Sequence, residues 1–265
     1  MTIIYYSTSP KQDEYDALRA TRPETLLLSF ALWRNKPLKE LIEKIGYRPK
    51  SIIIDPGAIT FKNGKISTGI YDIYDYYLGD GYSDEEAAKE ILEWALNESY
   101  MADDSNIFYE YISYVHRNKR YIDQVLSFDQ IGKADVSRYM YRLMRAMQLN
   151  PIPVFHYQSD FIYLDKYIEE GNELIALGGI LMEPKILKRV EWINECMKRY
   201  PNQKFHVLGT QRKQIIDSSG GFYSCDGNSW KITAGYKRNR LPGQTKVQKA
   251  IEIIQNLQEV FPYEQ

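Results

Sequence analysis

The chain has 265 residues, of which 44% are hydrophobic, 26% charged and 14% aromatic, and its formal net charge is −1. That composition excludes a disordered chain, and the length suits one large domain of the size usual for an α/β barrel. A charge so near zero gives no global attraction to nucleic acid or to an anionic membrane, so binding to either requires a local patch.

The first residues, MTIIYYSTSPKQDEYD, contain a short apolar run but no basic region and no small-residue cleavage site, and no stretch reaches about 18 apolar residues. With only Cys196 and Cys225 present, no disulfide framework is available. A cytoplasmic protein in a reducing compartment, without membrane contact, is therefore expected. Apolar runs of strand length then recur at 25–30, 51–54, 125–128, 153–155, 174–177, 205–208 and 222–225, with a weaker one at 230–234. Between them apolar residues fall at three- and four-residue spacing over 38–45, 84–96, 136–149, 161–170, 184–199 and 247–260, which predicts helices.

Strands alternating with helices specify right-handed βαβ units, and eight strands in this length favour closure into a (β/α)8 TIM-type barrel occupying 1–265. No G-x-G-x-x-G follows the first strand and no G-x-x-x-x-G-K-[ST] occurs, which removes the commonest signatures of an open nucleotide-binding sheet. The connection after the second predicted strand is too long for one crossover helix. An insertion over about 60–122 is expected there, with a hairpin at 61–65 (FKNGK) and two helices, able to serve as a lid.

Charge is distributed unevenly. Twelve acids face the single base Lys89 between 67 and 110, whereas 227–250 holds Lys231, Lys237, Arg238, Arg240, Lys246 and Lys249 and no acid. A solvated surface accounts for the acidic run. The basic, glycine-containing run is a candidate phosphate-binding segment, with Lys231, Lys237, Arg238 and Arg240 as its contacts.

Barrel enzymes place their chemistry where strands end, so the residues just past each apolar run are the informative ones. Here they are Asp55, Asp129, His156, Gly178 with Gly179, Gly209 and Asp226. A single aspartate after a strand is most often a helix cap, but three on one rim can divide labour, one ionised and one held protonated, as in glycosyl transfer. The paired glycines suit either a tight turn or a planar ligand lying on the backbone. His116, His156 and His206 have no helical metal-ligand spacing, so no metal or other cofactor is expected, and Cys225 alternates to the outward side of its strand.

In order, IDPGA, LSFDQIG, IALGG, FHVLG and FYSCDGNSW resemble motifs of the tRNA-guanine transglycosylase superfamily, especially the compact, largely phage-encoded members related to the DNA 7-deazaguanine transglycosylases. The resemblance runs from about residue 26 to 234. It implies that Asp226 attacks C1′ of a nucleotide, that Asp55 manages the proton of the departing and incoming bases, and that Asp129 reads the base edge. The Gly178–Gly179 backbone, Gly209 and His156 would contact the base, and Tyr157, Phe128 and Trp230 are candidate stacking partners for a base taken out of its helix. Pro56 and Ala58 depart from the family's serine and glycine, and its cysteine-rich zinc site is missing. The implied substrate is therefore guanine in DNA more than in tRNA, exchanged for a 7-deazaguanine base, in host cytoplasm if the protein is phage-encoded. An N-glycosylase, a nucleoside hydrolase and a non-catalytic nucleotide- or protein-binding barrel remain open alternatives.

Overall fold

A computed structural model describes residues 2–59, 70–97 and 107–263. Eight strands form one sheet: β1 (Ile3–Thr8), β2 (Thr25–Ser29), β3 (Ser51–Asp55), β4 (Gln124–Val125), β5 (Val154–His156), β6 (Leu174–Gly178), β7 (Lys204–Val207) and β8 (Ser224–Gly227). Their order is β4-β3-β2-β1-β8-β7-β6-β5, and every pairing is parallel. A single parallel bridge between Leu126 and Ile152 joins the two ends, with Ser127 N–H on the Ile152 carbonyl at 2.8 Å. The sheet thus closes on itself as a TIM-type barrel whose tightest pairing is everywhere except this β4–β5 seam.

Two of the strand assignments from sequence change. The eighth strand is not 230–234 but β1 at the N-terminus, so the insertion follows the third strand rather than the second. WKITA is rich in residues that favour strands, yet Trp230 and Ala234, both fully buried, stand four apart and share one face of a helix, α11 (Ser229–Gly235). In β1 both faces are covered, one by the barrel interior and the other by helices, so IIYYST shows no clean alternation of apolar and polar residues.

The helices are α1 (Gln12–Thr21), α2 (Phe30–Trp33), α3 (Leu38–Ile45), α4 (Ile70–Gly79), α5 (Asp84–Leu96), α6 (Ile107–Asn118), α7 (Ala134–Ala146), α8 (Phe161–Glu169), α9 (Ile186–Arg199), α10 (Lys213–Ser218), α11 and α12 (Lys246–Val260), of which α3, α5, α7, α8, α9 and α12 match the six predicted ranges. Ser83 with Glu86 and Thr245 with Gln248 form capping boxes that start α5 and α12, each cap contributing about 1 kcal/mol. The insertion carries three described helices where two are expected, and the expected hairpin at 61–65 lies outside the described residues. Tyr111 of α6 donates its hydroxyl to the Leu126 carbonyl at 2.8 Å, and Phe108 and Tyr111 pack edge-on against Phe128. The insertion is thereby the outer wall of β3 and β4. No described helix is long and apolar enough to cross a membrane.

Side chains at alternate strand positions point into the barrel, where Tyr5, Leu27, Ile53, Leu126, Ile152, Val154 and Ala176 form a small apolar cluster. The opposite faces, with Tyr6, Leu28, Ile54, Leu177, Val207 and Cys225, belong to the larger core beneath the helices. Cys225 is accordingly buried outward, and burial raises its thiol well above the ordinary range, which removes it as a nucleophile.

Candidate active site

The inward alternation continues one step beyond the apolar cluster, and there it turns polar: Ser7 on β1, Ser29 on β2, Asp55 on β3, His156 on β5, Gly178 on β6 and Asp226 on β8. These residues, with Asp129, line a cavity of about 240 Å³ at the carboxyl ends of the strands. All three predicted aspartates therefore share one pocket with His156, Gly178, Gly179, Gly209 and Lys231. The helix-cap alternative fails, because the side-chain caps among the described helices are Ser83, Asp160 and Thr245.

Asp226 is 5% exposed and held at both oxygens. The Ser7 hydroxyl donates to Oδ2 at 2.7 Å and the Gly209 N–H donates to Oδ1 at 2.8 Å. The end of β1 that carries Ser7 is fixed by two indoles, since Trp230 donates to the Ser7 carbonyl at 3.2 Å and Trp33 to the Thr8 carbonyl at 3.0 Å. Gly209 adopts φ +78°, and a Cβ there would lie 2.7 Å from Leu181, so glycine is what lets this amide reach the carboxylate.

Asp55 is treated differently. Protein surrounds its carboxyl apart from a partial opening to the cavity, and burial, followed by the negative charges of Asp129 and Asp226, pushes its pKa well above the carboxylate range. The Gly57 N–H pulls the other way without reversing the shift. Asp129 meets His156, whose Nε2 stands 2.7 Å from Oδ2 with both residues almost fully buried.

The glycines divide by role. At Gly178 a Cβ would meet Val154 at 2.8 Å and the His156 ring at 3.0 Å, so it is required by packing between β5 and β6 as well as by any ligand. The candidate stacking aromatics are elsewhere. Phe128 sits in the core between Phe108 and Tyr111, Trp230 is fully buried on β1, and Tyr157 packs edge-on against Trp192 with its hydroxyl on Glu183 at 3.1 Å. None of the three lines the cavity, whose apolar wall is aliphatic: Leu27, Leu32, Ile59, Ile131, Leu181 and Leu208. The insertion's described residues do not line it either.

The basic segment splits. Lys231 is 16% exposed and its Nζ lies 3.3 Å from Glu14, itself held by the Thr8 hydroxyl at 3.0 Å and the Ser9 N–H at 2.7 Å. Burial lowers the Lys231 pKa, with Glu14 opposing. Lys231 is thus a partly buried cation on the cavity wall, paired with Glu14. Lys246 pairs with Asp13 on α1, and Lys249 with Glu252 at 2.6 Å. Lys237 and Arg238 remain exposed, Arg238 lies 5.2 Å over the Tyr236 ring, and Arg240 is half-buried. These three sit between α11 and α12.

One residue at the site escapes a reading based on strand ends. His206 lies inside β7, fully buried, with Nδ1 2.8 Å from the Ser224 hydroxyl and Nε2 3.4 Å from Asp226. The signal available in the sequence is its spacing, because His206 on β7 and Ser224 and Asp226 on β8 all occupy inward positions. Among the described residues no group of three His, Cys, Asp or Glu is arranged to hold a metal ion.

No family model matches the chain, and no curated protein matches it. Solved structures with a similar course include the YdjI aldolase from Escherichia coli K12, at 7% identity and TM-score 0.48 over 98% of this chain and 91% of that one. The carboxyl transferase domain of Rhizobium etli pyruvate carboxylase with pyruvate aligns at 12% identity and TM-score 0.46 over 97% of this chain and 47% of that one. Likeness at this level adds nothing about chemistry to what the barrel topology already states.

Proposed function

We propose that the chain is an enzyme acting on the N-glycosidic bond of a guanine nucleotide, exchanging the base for a 7-deazaguanine in DNA through a covalent intermediate on Asp226. The observation that carries this reading is the unequal treatment of carboxyls in one pocket, Asp226 fixed at both oxygens by hydrogen-bond donors and Asp55 pushed towards its protonated form. Glycosyl transfer by double displacement needs that pair, one group to bond carbon and another to supply and recover a proton.

In the first step an Asp226 oxygen bonds to C1′ as the C1′–N9 bond breaks, and Asp55 gives its proton to the departing guanine. In the second, Asp55 takes the N9 proton of the incoming 7-deazaguanine while N9 displaces Asp226 from C1′. Asp129 accepts hydrogen bonds from the base edge, an anionic acceptor suited to the N1 and N2 hydrogens of guanine, with His156 fixing one of its oxygens. The cavity of about 240 Å³ opens at the strand ends, where a flipped nucleoside would enter.

The test is incubation with labelled 7-deazaguanine and guanine-containing DNA or tRNA, followed by nucleoside mass spectrometry. Label incorporated into the polymer is the expected result. Release of guanine without incorporation would convert the reading to a hydrolytic glycosylase, and neither product would leave a binding barrel.

A further inference from the structure

We infer that His206 is a positioning residue for Asp226: Ser224 fixes its tautomer so that the Nε2–H points at Asp226 Oδ1 from inside the barrel. This rests on the reading of Asp226 as the reacting carboxylate only for its catalytic consequence, and on geometry for the rest.

The argument is an accounting of donors and acceptors. Both residues are fully buried, so each polar atom needs a partner from protein. The Ser224 hydroxyl stands 2.8 Å from Nδ1, and among the described residues no other side-chain hydrogen bond engages either atom. If Nδ1 carried the proton, the Ser224 oxygen would accept it and the serine's own hydrogen would be stranded. Nε2 would then turn a bare lone pair on a carboxylate oxygen 3.4 Å away, repelling the anion that it faces. If Nε2 carries the proton, the serine donates to Nδ1, and the ring N–H faces the Oδ1 anion that attracts it. At 3.4 Å the contact is longer than a hydrogen bond, and the N–H acts on the carboxylate through its dipole.

The surroundings hold the ring in place. Tyr5 of β1 meets it edge-on with centroids 5.6 Å apart, and its phenol, pushed up to about 12 by burial, stays neutral. On β6 the register partner is Ala176, and on β8 it is Ser224. Asp226 is the charged group that faces the imidazole. It therefore has two hydrogen-bond attachments, the Ser7 hydroxyl and the Gly209 amide, and a third, electrostatic contact with the His206 ring, which alone approaches from beneath. A carboxylate so held presents one orientation to C1′, which is the requirement for a near-attack geometry.

The tautomer is read directly by long-range 1H–15N correlation on protein labelled at its three histidines, with His206 assigned by its loss in His206→Gln. A protonated Nε2 on His206 is the expected result, and its signal should move in Asp226→Asn. A bare Nε2 would overturn the inference. This measurement needs no turnover, so it stands or falls separately from the proposed reaction. In the covalent-adduct assay, His206→Gln, which keeps a donor near the Nε2 position, should retain rate within about tenfold, while His206→Leu should lose roughly 10²-fold in kcat with KM nearly unchanged. Equal rates in Gln and Leu variants would refute the positioning role. Should His206→Leu fail to fold, Ser224→Ala tests the same point, since loss of the tautomer lock must lower kcat in the same direction, and an unchanged kcat would refute it.

Discussion

The two sides of the pocket rim hold the same residue type in opposite ways. On the β8–β1 side, Asp226 meets a hydroxyl, a backbone amide and a ring, and the strand end beside it is tied by the indoles of Trp33 and Trp230. On the β3–β4 side, Asp55 lies near other carboxylates with hydrogen bonds that only partly offset burial, and the strand beside it is tied by a phenol, Tyr111, reaching in from the insertion. The first environment fixes a carboxylate in place. The second makes a carboxylate costly and so readies a proton. The lesson is that a strand end supplies position, while the chemistry of the aspartate standing there is set by neighbours that are distant in sequence.

The most severe way to break this comparison is Asp226→Asn. It keeps size and shape but removes the anion, so adduct formation should vanish and turnover should fall by several orders of magnitude, with substrate affinity little changed. Intact-protein mass spectrometry checks it, and an adduct that persists, or one mapped to Asp129, would reverse the assignment. Asp55→Asn should cost less, roughly 10²- to 10⁴-fold, and should still form the adduct when the leaving base is good.

The same substitution has a signature in stability. With a native pKa above the unfolded value of about 3.9, the folded chain binds the extra proton between those two values, so stability falls as pH rises through that window and the full penalty persists above it. Asp55→Asn should therefore melt higher than the parent at pH 7, by roughly 2–4 °C for each kcal/mol relieved, and with no difference near pH 3. A melting profile parallel to that of the parent at all pH values would show that Asp55 is not strained by burial.

What the sequence disclosed follows from which interactions are local. The polar residues after each apolar run are a local signal, and Asp55, Asp129, His156 and Asp226 do meet in one cavity. The barrel itself was legible from alternation, although IIYYST lost its signature by being covered on both faces and WKITA borrowed one from its strand-favouring residues. Within the basic run, the acids that pair with Lys231 and Lys246 are Glu14 and Asp13, more than two hundred residues earlier on α1, where no local signal shows them. The stacking aromatics misled for a similar reason, since nothing local distinguishes an aromatic that lines a pocket from one that ties down a strand.

Splitting that basic run sharpens the comparison at a smaller scale. Lys231→Met strands the buried Glu14 carboxylate, a loss of about 3–5 kcal/mol that the double variant with Glu14→Gln should largely restore. Thermal melting of the two variants decides this, and a Lys231→Met chain as stable as the parent would return Lys231 to the class of solvated bases.

Lys237, Arg238 and Arg240 should behave in the opposite way. Lys237 and Arg238 are solvated, and Arg240 is half-buried in the same loop. Replacing all three by alanine removes little packing, so the melting temperature should barely move. Each phosphate left unneutralised should instead reduce the slope of log K against log salt by about 0.9 for duplex DNA, up to roughly 2.7 for all three side chains. Fluorescence anisotropy of a labelled duplex between low and physiological salt measures this, and it separates two roles for the loop. A shallower slope with weaker binding assigns the three side chains to the backbone of a polymer lying across the rim. A slope equal to that of the parent would make the loop a solvated face, and the pocket would then be one that takes a free nucleoside without touching a chain of phosphates.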